Sequence, residues 1–233
     1  MIETLIRNRV ENPDDYLVGC ADLNGLLPDV PFRYGIVIGR RLDDEIMDGI
    51  EHGPTRQYLE YYHKINTELA ALMHEVKHQL MALGYDSYAV EPTIHKRDAK
   101  DEAYLQTLRT PVSHKMIATR AGLGWIGKTD LFVSKRFGPR IRLVSLLTNY
   151  PVEITGKPVD KSRCGKCEVC VLRCPATAAT GQLWDIHTDR DVFYDARKCR
   201  DMCRKLSKKV GDPDAEICGI CVSVCPVGKK GRG

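Results

Sequence analysis

Nine of the ten cysteines in this 233-residue chain lie between Cys164 and Cys225. Cys164-x2-Cys167-x2-Cys170-x3-Cys174-Pro175 is the spacing by which bacterial ferredoxins hold 4Fe–4S clusters. Cys218-x2-Cys221-x3-Cys225-Pro226 repeats it in looser form, and Cys199 and Cys203 stand between the two runs. Two-residue gaps let a tight turn present several thiolates to one cubane, while the cysteine before each proline reaches the other cluster. On this pattern Cys164, Cys167, Cys170 and Cys225 hold a first cluster. Cys174, Cys218, Cys221 and one of Cys199 or Cys203 hold a second. Zinc also takes Cys-x2-Cys pairs, but a four-ligand ion has no use for a tripled run closed by Cys-Pro. Cys20 stands alone and reads as an ordinary buried thiol.

A second segment attracts attention for its glycines. Gly122-Leu123-Gly124-Trp125-Ile126-Gly127-Lys128-Thr129 satisfies both the dinucleotide fingerprint and the phosphate-binding P-loop pattern. Both require a strand before and a helix after. His114 to Ala121 instead has the pattern of an amphipathic helix, and Trp125 suits a phosphate-wrapping loop poorly. Two readings remain: a turn that packs a helix against a sheet, and a loop that lines a cofactor.

Around these segments the composition is that of a globular protein, 43% hydrophobic and 28% charged with a net charge of +4. The N-terminus has an acid, Glu3, where a secretory signal would be basic, and no apolar run approaches a membrane span. The expectation is a cytoplasmic protein, in which clustered thiols serve metal rather than disulfides. No basic run or aromatic platform points to nucleic acid, so such a partner is not expected.

The expected fold class is α+β. Arg33 to Gly39 reads as a buried strand, and Thr55 to Leu83 as a long amphipathic helix closed by Gly84. Tyr85 to Val90 and Ile141 to Thr148 read as further strands. Composition changes near Pro151 to Lys161. Residues 1–158 are therefore expected to form a mixed α/β domain, and residues 159–233 a ferredoxin-type domain whose metal supplies stability that its small core lacks.

Three stretches together resemble the epoxyqueuosine reductase family. They are Arg120 to Thr129, the cysteine run from Cys164, and Asp195-Ala196-Arg197-Lys198-Cys199. The resemblance implies a nitroreductase-like or cobalamin-reductase-like N-terminal domain that binds cobalamin, joined to a double 4Fe–4S domain. It implies Cys199 rather than Cys203 as the remaining ligand. It also implies that Gly122, Gly124, Trp125, Gly127 and Lys128 line the corrinoid site. The family carries a catalytic acid after a strand and ahead of a proline. Counting back from Gly122 finds Leu108 there, whereas matching by strand context finds Glu91, in Val90-Glu91-Pro92. The helical repeats by which the family recognises transfer RNA have no counterpart in these 233 residues.

Two functions follow as expectations. In one, an external low-potential donor reduces the clusters, which pass electrons to a cobalamin-type cofactor for reduction of a small molecule or corrinoid protein. In the other, the chain is a non-catalytic ferredoxin that reduces a partner protein's cofactor.

Overall fold

The computed structural model describes residues 2–93, 102–212 and 214–229. In chain order, helix α1 (Ile2–Arg9) precedes strands β1 (Tyr16–Asp22) and β2 (Tyr34–Arg41). Helices α2 (Asp44–Asp48) and α3 (Arg56–Ala82) follow, then strand β3 (Ser87–Val90) and helices α4 (Glu102–Thr107) and α5 (His114–Arg120). Strands β4 (Gly124–Ile126), β5 (Phe132–Ser134) and β6 (Ile141–Thr148) come next. The cysteine-rich stretch holds four short helices, α6 (Val169–Leu172), α7 (Arg190–Phe193), α8 (Ala196–Ser207) and α9 (Ile220–Ser223). This is the mixed, α+β architecture expected.

The chain forms two compact units, and neither is continuous in sequence. The first comprises Met1–Arg41, Ile65–Leu123 and Arg142–Val159; the second comprises Leu42–Lys64, Gly124–Ile141 and Asp160–Gly233. Two segments from the sequence's expected N-terminal domain, 42–64 and 124–141, thus fold with the cysteines. The composition change at Pro151 to Lys161 could not reveal this, because it registers only where the chain crosses over last.

The first unit is built on a four-stranded sheet in the order β1-β2-β6-β3. Strands β1 and β2 are antiparallel, as are β3 and β6. Ile36, Val37 and Ile38 of β2 and Leu146 and Leu147 of β6 are wholly buried. That explains why both strands read as apolar runs rather than as alternating patterns. Helix α5 packs on β1 and β2 with Ile117 and Ala118 buried. In α3 the buried residues Leu69, Met73, Val76 and Leu80 recur at helical spacing. Its end is closed by Gly84 at φ 84°, with the Tyr85 N–H donating to the Leu80 carbonyl.

In the second unit, β4 and β5 pair as a short antiparallel hairpin. Helices α6 and α9 pack on each other, and α2 packs on α9. Among the described residues, no helix is long and apolar enough to cross a membrane.

Candidate functional site

The two cysteine runs fold alike. Each begins Cys-Gly-x-Cys, and both glycines, Gly165 and Gly219, take positive φ (54° and 85°), which turns the chain sharply between the first two cysteines. Each run then enters one turn of helix, α6 or α9, and leaves it at a Cys-Pro. The Cys167 N–H donates to the Cys164 carbonyl, and the Ala178 N–H reaches the Cys174 sulfur at 3.5 Å.

All ten cysteines are free thiols. Leaving aside Cys20 in the first unit, those of the cysteine-rich stretch sort into two sets. Burial, and then the neighbouring Cys170, Cys164 and Cys167, push the Cys225 thiol up to about 11. Cys170 is raised by burial and by Cys164 and Cys167. These four are the residues expected at the first cluster. Cys221 is raised by burial and by Cys218, Cys199, Cys170 and Cys174. Mutual elevation of unpaired thiols is the electrostatic cost of crowding sulfur anions, and iron removes it by binding them as thiolates. The donor set therefore fits two clusters.

Helix α8 brings in the remaining ligand. The Asp195 side chain caps its N-terminus, accepting from the Arg197 and Lys198 N–H groups. Cys199, Cys203 and Ser207 then fall four residues apart on one face. The Cys199 and Cys203 sulfurs are 3.9 Å apart. Ser207 is fully buried; its hydroxyl donates to the Ile217 carbonyl and accepts from the Ile217 N–H, so the segment entering Cys218 is stitched to α8. Cys199 is lowered to about 7, first by its hydrogen bond with Cys203 and also by one from the Tyr194 hydroxyl. Cys203 is strongly raised by the same exchange with Cys199 and by Cys218.

The glycine-rich segment is not an open loop. Gly124, Trp125 and Ile126 are strand β4, and the Trp125 indole N–H donates to the Cys164 sulfur at 3.4 Å. A Cβ on Gly127 would lie 3.6 Å from that same sulfur. Lys128 is buried, its ammonium 3.4 Å from Glu168, which lies between Cys167 and Cys170. A Cβ on Gly124 would collide with the Val133 carbonyl oxygen, and one on Gly122 would sit 2.7 Å from the Lys157 carbonyl oxygen. The room these two glycines leave is filled by the chain's own backbone. Gly124, Trp125, Gly127 and Lys128 belong to the surroundings of the cysteines.

Arg140 was not legible in the sequence as a site residue. Fully buried, it donates to the Asp44 carbonyl and carboxylate, to the Asp48 carboxylate and to the Ser223 carbonyl. Ser223 ends α9, so the buried guanidinium, through its bond to the Ser223 carbonyl, fixes the approach to Cys225. Tyr194 was likewise missed, as was Trp125 as a donor to sulfur. The only available signal, an aromatic placed just before a helix cap, is too common to interpret.

A separate constellation lies in the first unit, where Glu91 follows β3. Its carboxylate accepts from His74 Nε2 at 2.9 Å. Its carbonyl is held by His114 Nε2, also at 2.9 Å, while His114 Nδ1 meets the Ser145 hydroxyl. A carbonyl only accepts, so Nε2 carries the proton and Nδ1 accepts from Ser145. Burial pushes His114 down to about 4. Arg142 donates to the Pro92 carbonyl and to the Asn66 side chain, both at 2.7 Å. The backbone at Glu91-Pro92 is thus clamped from both sides while the carboxylate stays partly exposed. Leu108 carries no ionisable group and follows α4.

Comparison with known proteins accords with this geometry. Residues 163–228 match the family described as the 4Fe–4S double cluster binding domain. An epoxyqueuosine reductase of Lactococcus garvieae is 36% identical over 113 residues, covering 48% of this chain and 31% of the relative. The chain spans about a third of the length of the curated relatives it matches first. Two solved structures share the fold at low identity. A reductive dehalogenase reported with a mechanism for B12-dependent dehalogenation aligns over 92% of this chain and 30% of its own, with TM-score 0.63 and 17% identity. An epoxyqueuosine reductase solved with an epoxyqueuosine-modified transfer-RNA stem loop aligns over 98% of this chain and 64% of its own, with TM-score 0.58 and 16% identity. The chain thus carries a 4Fe–4S double cluster binding domain and is similar in sequence to epoxyqueuosine reductases over about half its length.

Proposed function

We propose that this chain is a reductase in which two 4Fe–4S clusters feed electrons one at a time to a corrinoid, with Glu91 supplying a proton. The observation that carries the reading is the joint one. A double-cluster domain lies in a chain whose whole length shares its fold with a B12-dependent dehalogenase and an epoxyqueuosine reductase. When bound, a corrinoid supplies a low-valent cobalt able to cleave an activated carbon–heteroatom bond. The segment carrying Gly122, Gly124, Trp125, Gly127 and Lys128 is proposed to border its site.

The chain's own residues perform two tasks. Cys164, Cys167, Cys170 and Cys225, and Cys174, Cys199, Cys218 and Cys221, would hold the two clusters, each of which would take up one electron. Glu91 and His74 form a proton-bearing pair: the imidazole is half exposed and can refill the carboxylate from water. The donor is an external low-potential one-electron carrier, and a cytoplasmic location, where free thiols persist, belongs to the same reading. The stem loop bound by the structural neighbour makes epoxyqueuosine-bearing RNA the first substrate to test, so a nucleic-acid partner is not set aside.

The test is anaerobic titration of cluster-loaded protein with cobalamin, followed by its visible spectrum. A near-equimolar complex with altered corrinoid bands is the expected result. No spectral change and no heat at high micromolar cobalamin would leave a plain electron-transfer ferredoxin.

A further inference from the structure

The turn joining β4 to β5 carries two opposite charges, Lys128 and Asp130, two residues apart. Lys128 is 3% exposed and lies on the first cysteine set: the strand before it bonds Cys164 through Trp125, and its ammonium meets Glu168 inside the Cys167–Cys170 turn. We propose that Lys128 splits the potentials of the two clusters by holding the first higher, so that electrons run from second to first.

Reducing a cubane adds one negative charge. Hydrogen bonds to sulfur and nearby cations stabilise that charge, and nearby anions oppose it. Trp125 N–H donates to Cys164 in the first set and Cys199 contacts Cys203 in the second, so donors alone do not distinguish them. Charge does. Lys128 is buried, which leaves its field weakly screened, whereas the opposing Glu168 is half exposed and damped by water. Around the second set the cations are matched by acids, Arg200 and Arg204 by Glu216 and Lys198 by Asp195. The transfer is simple to balance: one electron leaves the reduced second cluster and reduces the oxidised first, with no bond or proton exchanged. An external one-electron reductant refills the second.

The experiment is an anaerobic redox titration of the full chain, read by electron paramagnetic resonance after iron content is confirmed. Lys128→Gln should lower only the higher potential, cutting the reduced-to-oxidised ratio at fixed potential about tenfold, or ~59 mV for one electron. Lys128→Arg should restore it. Glu168→Gln, which leaves the lysine in place, should raise the higher potential and so reads the same field should Lys128→Gln lose iron. Cys199→Ala protein should retain only the higher potential. Equal shifts of both potentials by either charge variant, no shift from any, or retention of the lower potential by Cys199→Ala would overturn the proposal.

Discussion

The two cysteine runs begin alike and are surrounded differently. Both use a positive-φ glycine and one helical turn ending in Cys-Pro, which is the minimum backbone that presents sulfurs to a cubane. Their supports come from distant parts of the chain. The first set borrows the β4–β5 hairpin, whose Trp125 reaches Cys164 across 39 residues. The second borrows α8, with its Tyr194 and its paired Cys199 and Cys203. The repeated motif fixes what kind of group is bound. The borrowed elements decide how tightly it is held and at what potential.

Breaking a ligand tests that difference most strongly. Cys199→Ala should remove the second cluster, about four irons, while Cys203→Ala leaves both; iron and sulfide assays separate the two. The opposite result would make Cys203 the ligand. Next comes the hairpin. Gly124→Val would drive a side chain into the Val133 carbonyl and Phe132 ring, so it should unpair β4 from β5 and loosen the first cluster. Loss of iron signal from one cluster, seen by paramagnetic resonance, is expected. Unchanged cluster content would mean the hairpin is not a support.

A smaller effect belongs to Ser207. Replacing it with Ala leaves the Ile217 N–H and carbonyl buried without partners, a cost of about 1–3 kcal/mol. The second cluster should then be lost to chelator faster than the first. An even rate of loss would contradict the stitch.

The last contrast is between units. His114 titrates near 6.5 in the unfolded chain and near 4 when folded. Between those values the unfolded state binds the extra proton, so stability falls as pH drops through the window, by up to about 3 kcal/mol. Denaturant unfolding of the first unit in the intact protein, from pH 7 to 5, should show this slope, and His114→Gln should flatten it. An unaltered slope would show that the imidazole is not buried neutral.

Much of the fold was legible because it rests on local pattern. Helix α3 and strands β2 and β6 show their burial through spacing or unbroken apolar runs. Strand β1, Tyr16–Asp22, was missed because Gly19, Cys20 and its flanking acids dilute the signal. Strand β4 was missed because its glycines, required by contact with the Val133 backbone, read as a loop. The cysteine ligands were legible because thiolate spacing is chemistry written locally. Tyr194 and Arg140 were not, and although the glycine-rich motif singled out Trp125 and Lys128, their contacts with Cys164 and Glu168 exist only once distant segments meet. Glu91 stands out in the sequence by its strand-end context, while its partners His74 and His114 are set by tertiary placement alone.

The central claim, that this chain holds two 4Fe–4S clusters, is tested most directly by counting iron and acid-labile sulfide in anaerobically purified protein alongside its paramagnetic resonance spectrum. The account predicts about eight irons and eight sulfides per chain, with two reducible signals. Stoichiometric zinc without labile sulfide would contradict it.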